Sequence, residues 1–131
     1  MKFSKATNYA LHTTLALVSA SSVKPIGVQQ LAKSQDVSTT YLSKILTKLA
    51  KAGIIESASG AQGGYRLTRN KDEITFLDII HAIEGTSSMF ECDFVHGEEC
   101  LIQAEMKKAE QKMLQYLKET KIVDIAHKQS T

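Results

Sequence analysis

Residues 36–67 read DVSTTYLSKILTKLAKAGIIESASGAQGGYRL, and this stretch decides the fold. Ser38 is a helix-capping residue, and Gly53 stops the run that follows it. Between them Leu42, Ile45, Leu46 and Leu49 recur with helical spacing, while Lys44, Lys48 and Lys51 fall elsewhere on the surface. Ile54 to Ser57 then reads as a strand, residues 58–64 as a small, glycine-rich tip, and Tyr65 to Thr68 as the returning strand. Just upstream, Val28 to Gln35 reads as a short helix, and Asp36-Val37 as the tight turn between two helices. A helix-turn-helix needs a small residue in its first helix and apolar positions that lock the pair at a steep angle. Ala32, Leu42 and Ile45 fill those roles. Followed by a hairpin, the pattern is that of a winged helix.

Working outward, Ser4 caps an expected helix to about Ser19 with Leu11, Leu15 and Val18 as its apolar stripe. Residues 19–25 form a loop holding the only proline, Pro25. Downstream, Thr75 caps a helix that Gly85 ends. A linker with Cys92 and Cys100 follows, then a long helix from Leu101 to about Thr120. Its Ile102, Met106, Ala109, Met113 and Tyr116 are spaced 4, 3, 4, 3, a heptad seam suited to a second helix. Residues 121–128 read as a short closing helix. The expected fold is therefore mainly α with a small β-hairpin: a winged helix-turn-helix domain over residues 1–85, and a linker and dimerisation helix over 86–131. The two are expected to form one structural unit, with the N-terminal helix packed on the dimer arm.

Charge is divided along the chain. Residues 1–71 carry ten Lys or Arg against two acids, and residues 72–131 carry six Lys against twelve acids. A basic half joined to an acidic half fits a nucleic-acid-binding module. Ser38, Thr39, Thr40, Tyr41, Ser43, Lys44 and Lys48 are the candidate groove-facing residues. Hydroxyls reach phosphates or base edges, and lysines attract phosphates. Backbone amides at Gly63 and Gly64 can approach the duplex without side-chain clash. The competing reading is a winged helix that binds protein. No nucleophile elbow, P-loop or convincing carboxylate pair points to an enzyme. No run approaches the ~20 apolar residues of a membrane span, so a cytoplasmic location is expected. Two cysteines are too few for a disulfide scaffold, and in a reducing compartment such a pair is reactive or ligating rather than structural.

The opening MKFSKATNYALH, the helix DVSTTYLSKILTKLAKAGII, the wing SGAQGGYRL and the segment FLDIIHAIEG together resemble the Rrf2 family of bacterial transcription regulators. The resemblance covers nearly the whole chain. It implies a homodimer on double-stranded DNA, a repressor gripping a partly palindromic operator. Recognition helices would enter major grooves, and wings would lie near minor grooves. Family contacts carry over to Tyr9, Thr40, Tyr41, Ser43, Lys44, Gly63 and Gly64. Many members have an arginine before the first wing glycine, where this chain has Ser59. Several members hold an iron–sulfur cluster on three linker cysteines. Cys92 resembles the first and Cys100 the last, while the middle one is absent. Asn8 stands where some members place a ligating carboxylate, and Gln103 where another has histidine. Four readings of Cys92 and Cys100 stand open: an unusual cluster with two other ligands, a thiol switch, packing cysteines, or a different metal or metabolite. Acidic neighbours Glu91, Asp93, Glu98 and Glu99 oppose thiolate formation. The effector and any cofactor are unknown from sequence.

Overall fold

Polar caps and helix-period apolar residues cut the chain into its elements much where local chemistry places them. The computed structural model describes residues 3–20, 24–61, 63–68, 70–90 and 100–129. In chain order these form α1 (Lys5–Ala20), α2 (Val28–Gln35), α3 (Thr39–Lys51), β1 (Ile55–Ala58), β2 (Gly64–Leu67), a 3₁₀ turn (Lys71–Glu73), α4 (Phe76–Glu84), α5 (Leu101–Glu119) and α6 (Ile122–Gln129). Ser38 starts α3: its hydroxyl accepts the Tyr41 N–H at 3.1 Å, which satisfies an otherwise orphaned amide of the first turn. Thr75 and Asp78 form a reciprocal capping box at α4, each side chain accepting the other's backbone N–H at 3.1 and 3.0 Å.

The core lies where α1, α3, α4 and α6 meet. Leu42, Ile45, Leu46 and Leu49 on α3 are buried together with Ile54, Ile55, Ile74, Ile79 and Ile122. The face that α1 buries differs from the expected stripe. Thr7, Ala10, Thr13, Thr14, Leu17 and Val18 are buried, and Leu11 and Leu15 are only half-buried. Two of the three buried hydroxyls find partners: Thr14 donates to the Ala10 carbonyl at 2.9 Å, and Thr13 accepts from Gln35 Nε2 at 2.7 Å, whereas Thr7 Oγ1 has none among the described residues. A row of threonines therefore faces inward where hydropathy alone favours leucine.

β1 lies one residue later, and β2 one residue earlier, than the sequence predicts. β1 and β2 pair antiparallel with Glu56 opposite Arg66 and Ala58 opposite Gly64. Ile54 is not in the ladder, because its N–H closes the end of α3 on the Leu49 carbonyl at 3.1 Å. Ile26 adds a short third rung: its N–H donates to Tyr65 O at 2.9 Å and its carbonyl accepts Tyr65 N–H at 2.8 Å. At the other end, Phe76 N–H donates to Thr120 O at 2.9 Å and Ile122 N–H to Ile74 O at 3.0 Å. This bridge returns the chain after α5 to the domain, so that α6 packs on α1 and buries Ile122 and Val123. The long helix α5 is thus held at its C-terminal end and lies along α4.

Candidate nucleic-acid interface and dimer arm

The apolar side of α3 is consumed by the core, which turns the opposite side outward. Thr39, Thr40, Tyr41, Lys44 and Lys48 are exposed and Ser43 is half-buried. The turn before them is tight. Asp36 takes a left-handed conformation (φ 55°), and the Val37 N–H reaches back to the Ala32 carbonyl at 3.1 Å. Tyr9 on α1 meets Tyr41 edge to face, with ring centroids 5.6 Å apart and planes at 85°. Tyr9 therefore braces Tyr41 from behind. Two further residues share this surface that the expected groove-facing set does not include. Thr47, four residues after Ser43, is exposed and donates its hydroxyl to the Ser43 carbonyl at 2.8 Å, and Lys51 lies one turn further on. Their i+4 spacing was the available signal.

Beside this face stands the wing. At Gly63 a Cβ would lie 2.4 Å from the Ala58 carbonyl oxygen, and at Gly64 it would lie 2.5 Å from the Ile26 carbonyl oxygen. Both glycines are demanded by close backbone approach within the protein itself. Ser59, Gly60 and Ala61 form an exposed tip. Arg66 pairs with Glu56 directly across the ladder at 2.8 Å, both side chains half exposed, so its charge is partly compensated. Arg69 lies outside the described residues.

The arm has a different character. None of the 19 residues of α5 is buried within the single chain. Among the seam positions, Ile102 is 69% exposed, Tyr116 70% and Met106 38%, and Leu101 next to them is 82% exposed. Ala109 is exposed as well, and Met113 is half-buried. Glu110 fastens the preceding linker to the helix. Its carboxylate accepts the Met89 N–H at 2.9 Å and the Ser88 hydroxyl at 2.8 Å. These two bonds, the Met89 amide first and Ser88 second, hold the Glu110 carboxyl below the ordinary glutamate range. A carboxylate lowered in this way contributes at neutral pH and loses its contribution as pH falls through that lowered value.

Of the two candidate sensor residues, Cys100 is the N-cap of α5, its sulfur accepting the Gln103 N–H at 3.5 Å. Cys92 lies outside the described residues, as do His96 and the acids at 91, 93, 98 and 99. Among the described residues no three His, Cys, Asp or Glu side chains converge. An iron–sulfur cluster draws mainly on cysteine thiolates, four for a common cluster, and the whole chain has two. The donor set of the described residues does not fit such a group. Nor is any described helix long and apolar enough to cross a membrane.

Comparison with known proteins places this geometry. The Rrf2 family model, described as an iron-dependent transcriptional regulator, matches residues 3–128. The protein rrf2 of Nitratidesulfovibrio vulgaris is 33% identical over 93 residues, 71% of this chain; the match spans only 62% of that relative's length. The HTH-type transcriptional regulator NsrR of Geobacillus kaustophilus is 32% identical, over 78% of this chain and 69% of its own. Among solved structures, CymR (YrzC), the global cysteine regulator of B. subtilis, superposes with a TM-score of 0.84 at 28% identity, covering 97% of both chains.

Proposed function

The chain belongs to the Rrf2 family of transcriptional regulators, and from that premise we propose that it is a dimeric repressor that binds a partly palindromic operator. One observation carries the reading: the polar, lysine-bearing side of α3 is turned outward next to the wing, while its apolar side forms the core. An exposed N-terminal half of a second helix is the surface that helix-turn-helix proteins insert into a major groove. Thr39, Thr40, Tyr41, Ser43 and Lys44 are the assigned base and phosphate contacts, with Ser38 setting the start of the helix and Lys48 adding charge. Tyr9 supports Tyr41, and Gly63 and Gly64 shape the wing. The protein-binding alternative is disfavoured by the family, whose members compared above include named regulators. These relatives are regulators and not enzymes.

Two copies are required because one recognition helix reads only a half-site. The seam Ile102, Met106, Ala109, Met113 and Tyr116 is assigned to their contact. Its exposure in the single chain is what supports this. The hinge with Cys92 and Cys100 is the assigned sensor. The likeness to a global cysteine regulator, and the presence of two cysteines where a common cluster takes four, favour a thiol or sulfur-linked signal there. On this reading, operator affinity is expected to be unchanged when the protein is purified anaerobically and treated with an iron chelator. A visible absorption band lost together with operator binding would instead assign an iron cluster.

Replacing Tyr41 and Lys44 with alanine tests the interface. Operator affinity is expected to fall by at least ~tenfold, and the salt slope by about one unit for the lost lysine. The dimer should persist in sedimentation. Wild-type affinity should itself drop by ~10³-fold or more between 50 and 200 mM salt if six or more phosphates are contacted. Salt-independent binding, or no duplex binding at low salt, would refute the reading.

A further inference from the structure

Three of the four methionines, Met89, Met106 and Met113, meet at one place. With Phe90, Ala109 and Glu110 they line a surface niche of about 110 Å³. Met106, Ala109 and Met113 belong to the heptad seam of α5. Met89 and Phe90 belong to the linker after α4. The two sets are brought together by Glu110, whose oxygens take the Met89 N–H and the Ser88 hydroxyl. The Ser88 oxygen in turn accepts the Phe90 N–H at 3.4 Å. Every other side chain of the niche is apolar. A carboxylate beside such a surface is tolerated when both of its oxygens are hydrogen-bonded.

We propose that the dimer face is a composite of α5 and the linker, and that Glu110 is the positioning residue that assembles it. The occupant of the niche is a second copy of this chain. The niche continues the seam, and the same helix offers the exposed apolar side chains of Leu101, Ile102 and Tyr116. An isologous contact sets the same patch of two copies face to face, and this patch offers both a cavity and apolar projections. Met89 stays 40% exposed in the single chain, so the niche is open to receive them. This inference rests on the seam being the dimer contact. Its consequence is that the linker at residues 88–90, held by Glu110, bears on dimer assembly without touching α3.

The experiment uses the full chain with Glu110→Ala and Glu110→Gln. The dimer dissociation constant is measured by sedimentation equilibrium, and Met89 amide exchange by NMR. Alanine removes both acceptors, and it is expected to weaken the dimer by roughly tenfold or more and to accelerate Met89 exchange. Glutamine can accept from Met89 and donate to Ser88 Oγ, so it is expected to restore both to within about threefold of wild type. A wild-type dimer constant for Glu110→Ala overturns the proposal. So does equal damage from both variants, which would make charge rather than the hydrogen-bonded latch responsible. The underlying seam is tested separately: a dimer surviving Met106→Lys with Met113→Lys sinks the seam, whereas that pair giving monomers while Glu110→Ala has no effect sinks only the latch.

Discussion

Met106→Lys together with Met113→Lys is expected to leave the protein monomeric at micromolar concentration and without measurable operator binding at physiological salt. The two residues are two turns apart on α5 and face the same way as Ile102, Ala109 and Tyr116. In a symmetric dimer the pair of substitutions would place four ammonium groups against apolar side chains. Each would be desolvated without a partner, at a cost of several kcal/mol per buried charge. A rise of at least ~10³-fold in the dimer dissociation constant follows even if half of that cost is relieved by side chains snorkelling to water. The monomer itself should stay folded, because α5 contributes no buried residue to the core. Sedimentation equilibrium and far-ultraviolet circular dichroism check both statements. A dimer that persists would remove the seam from the interface.

Gly64→Ala is expected to destabilise the domain by roughly 2–3 kcal/mol and to lower its melting temperature by roughly 10 °C. The added methyl carbon would sit 2.5 Å from the Ile26 carbonyl oxygen, 2.6 Å from its carbon and 2.8 Å from the Gly27 nitrogen. All three are backbone atoms, so no side-chain rotation relieves the contact. The φ of 154° adds conformational strain for any residue with a Cβ. Relief requires β2 to move from the segment before α2, which breaks the paired hydrogen bonds between Ile26 and Tyr65. The wing would then lose its fixed position beside α3, and operator affinity would fall more than stability alone explains. Ser59→Ala, at the exposed tip of the same hairpin, serves as the control and should leave the melting temperature unchanged. An unchanged melting temperature for Gly64→Ala would mean that the wing is not seated on Ile26.

Much of the fold was legible because the signals are local. The caps at Ser38 and Thr75, the stop at Gly85 and the four buried positions of α3 all depend on neighbours within one or two helical turns. The closing helix over residues 121–128 was legible for the same reason. What misled was the inner face of α1. Hydropathy put Leu11 and Leu15 inside, whereas Thr13 and Thr14 are fully buried because Gln35 and a backbone carbonyl satisfy their hydroxyls. A partner 22 residues away cannot be read from a helical stripe.

The amino-acid sequence by itself determined the order of elements, the outward polar face of the recognition helix, the basic and acidic halves, and the heptad spacing on α5. Each follows from periodicity, capping or charge, which are properties of short segments. Only the tertiary structure decided what those segments meet. It seated the wing glycines on Ile26, braced Tyr41 with Tyr9, returned α6 to the core through the bridge between Thr75 and Lys121, and tied the linker to Glu110. Such contacts join residues far apart in the chain, and their geometry is set by how the helices pack.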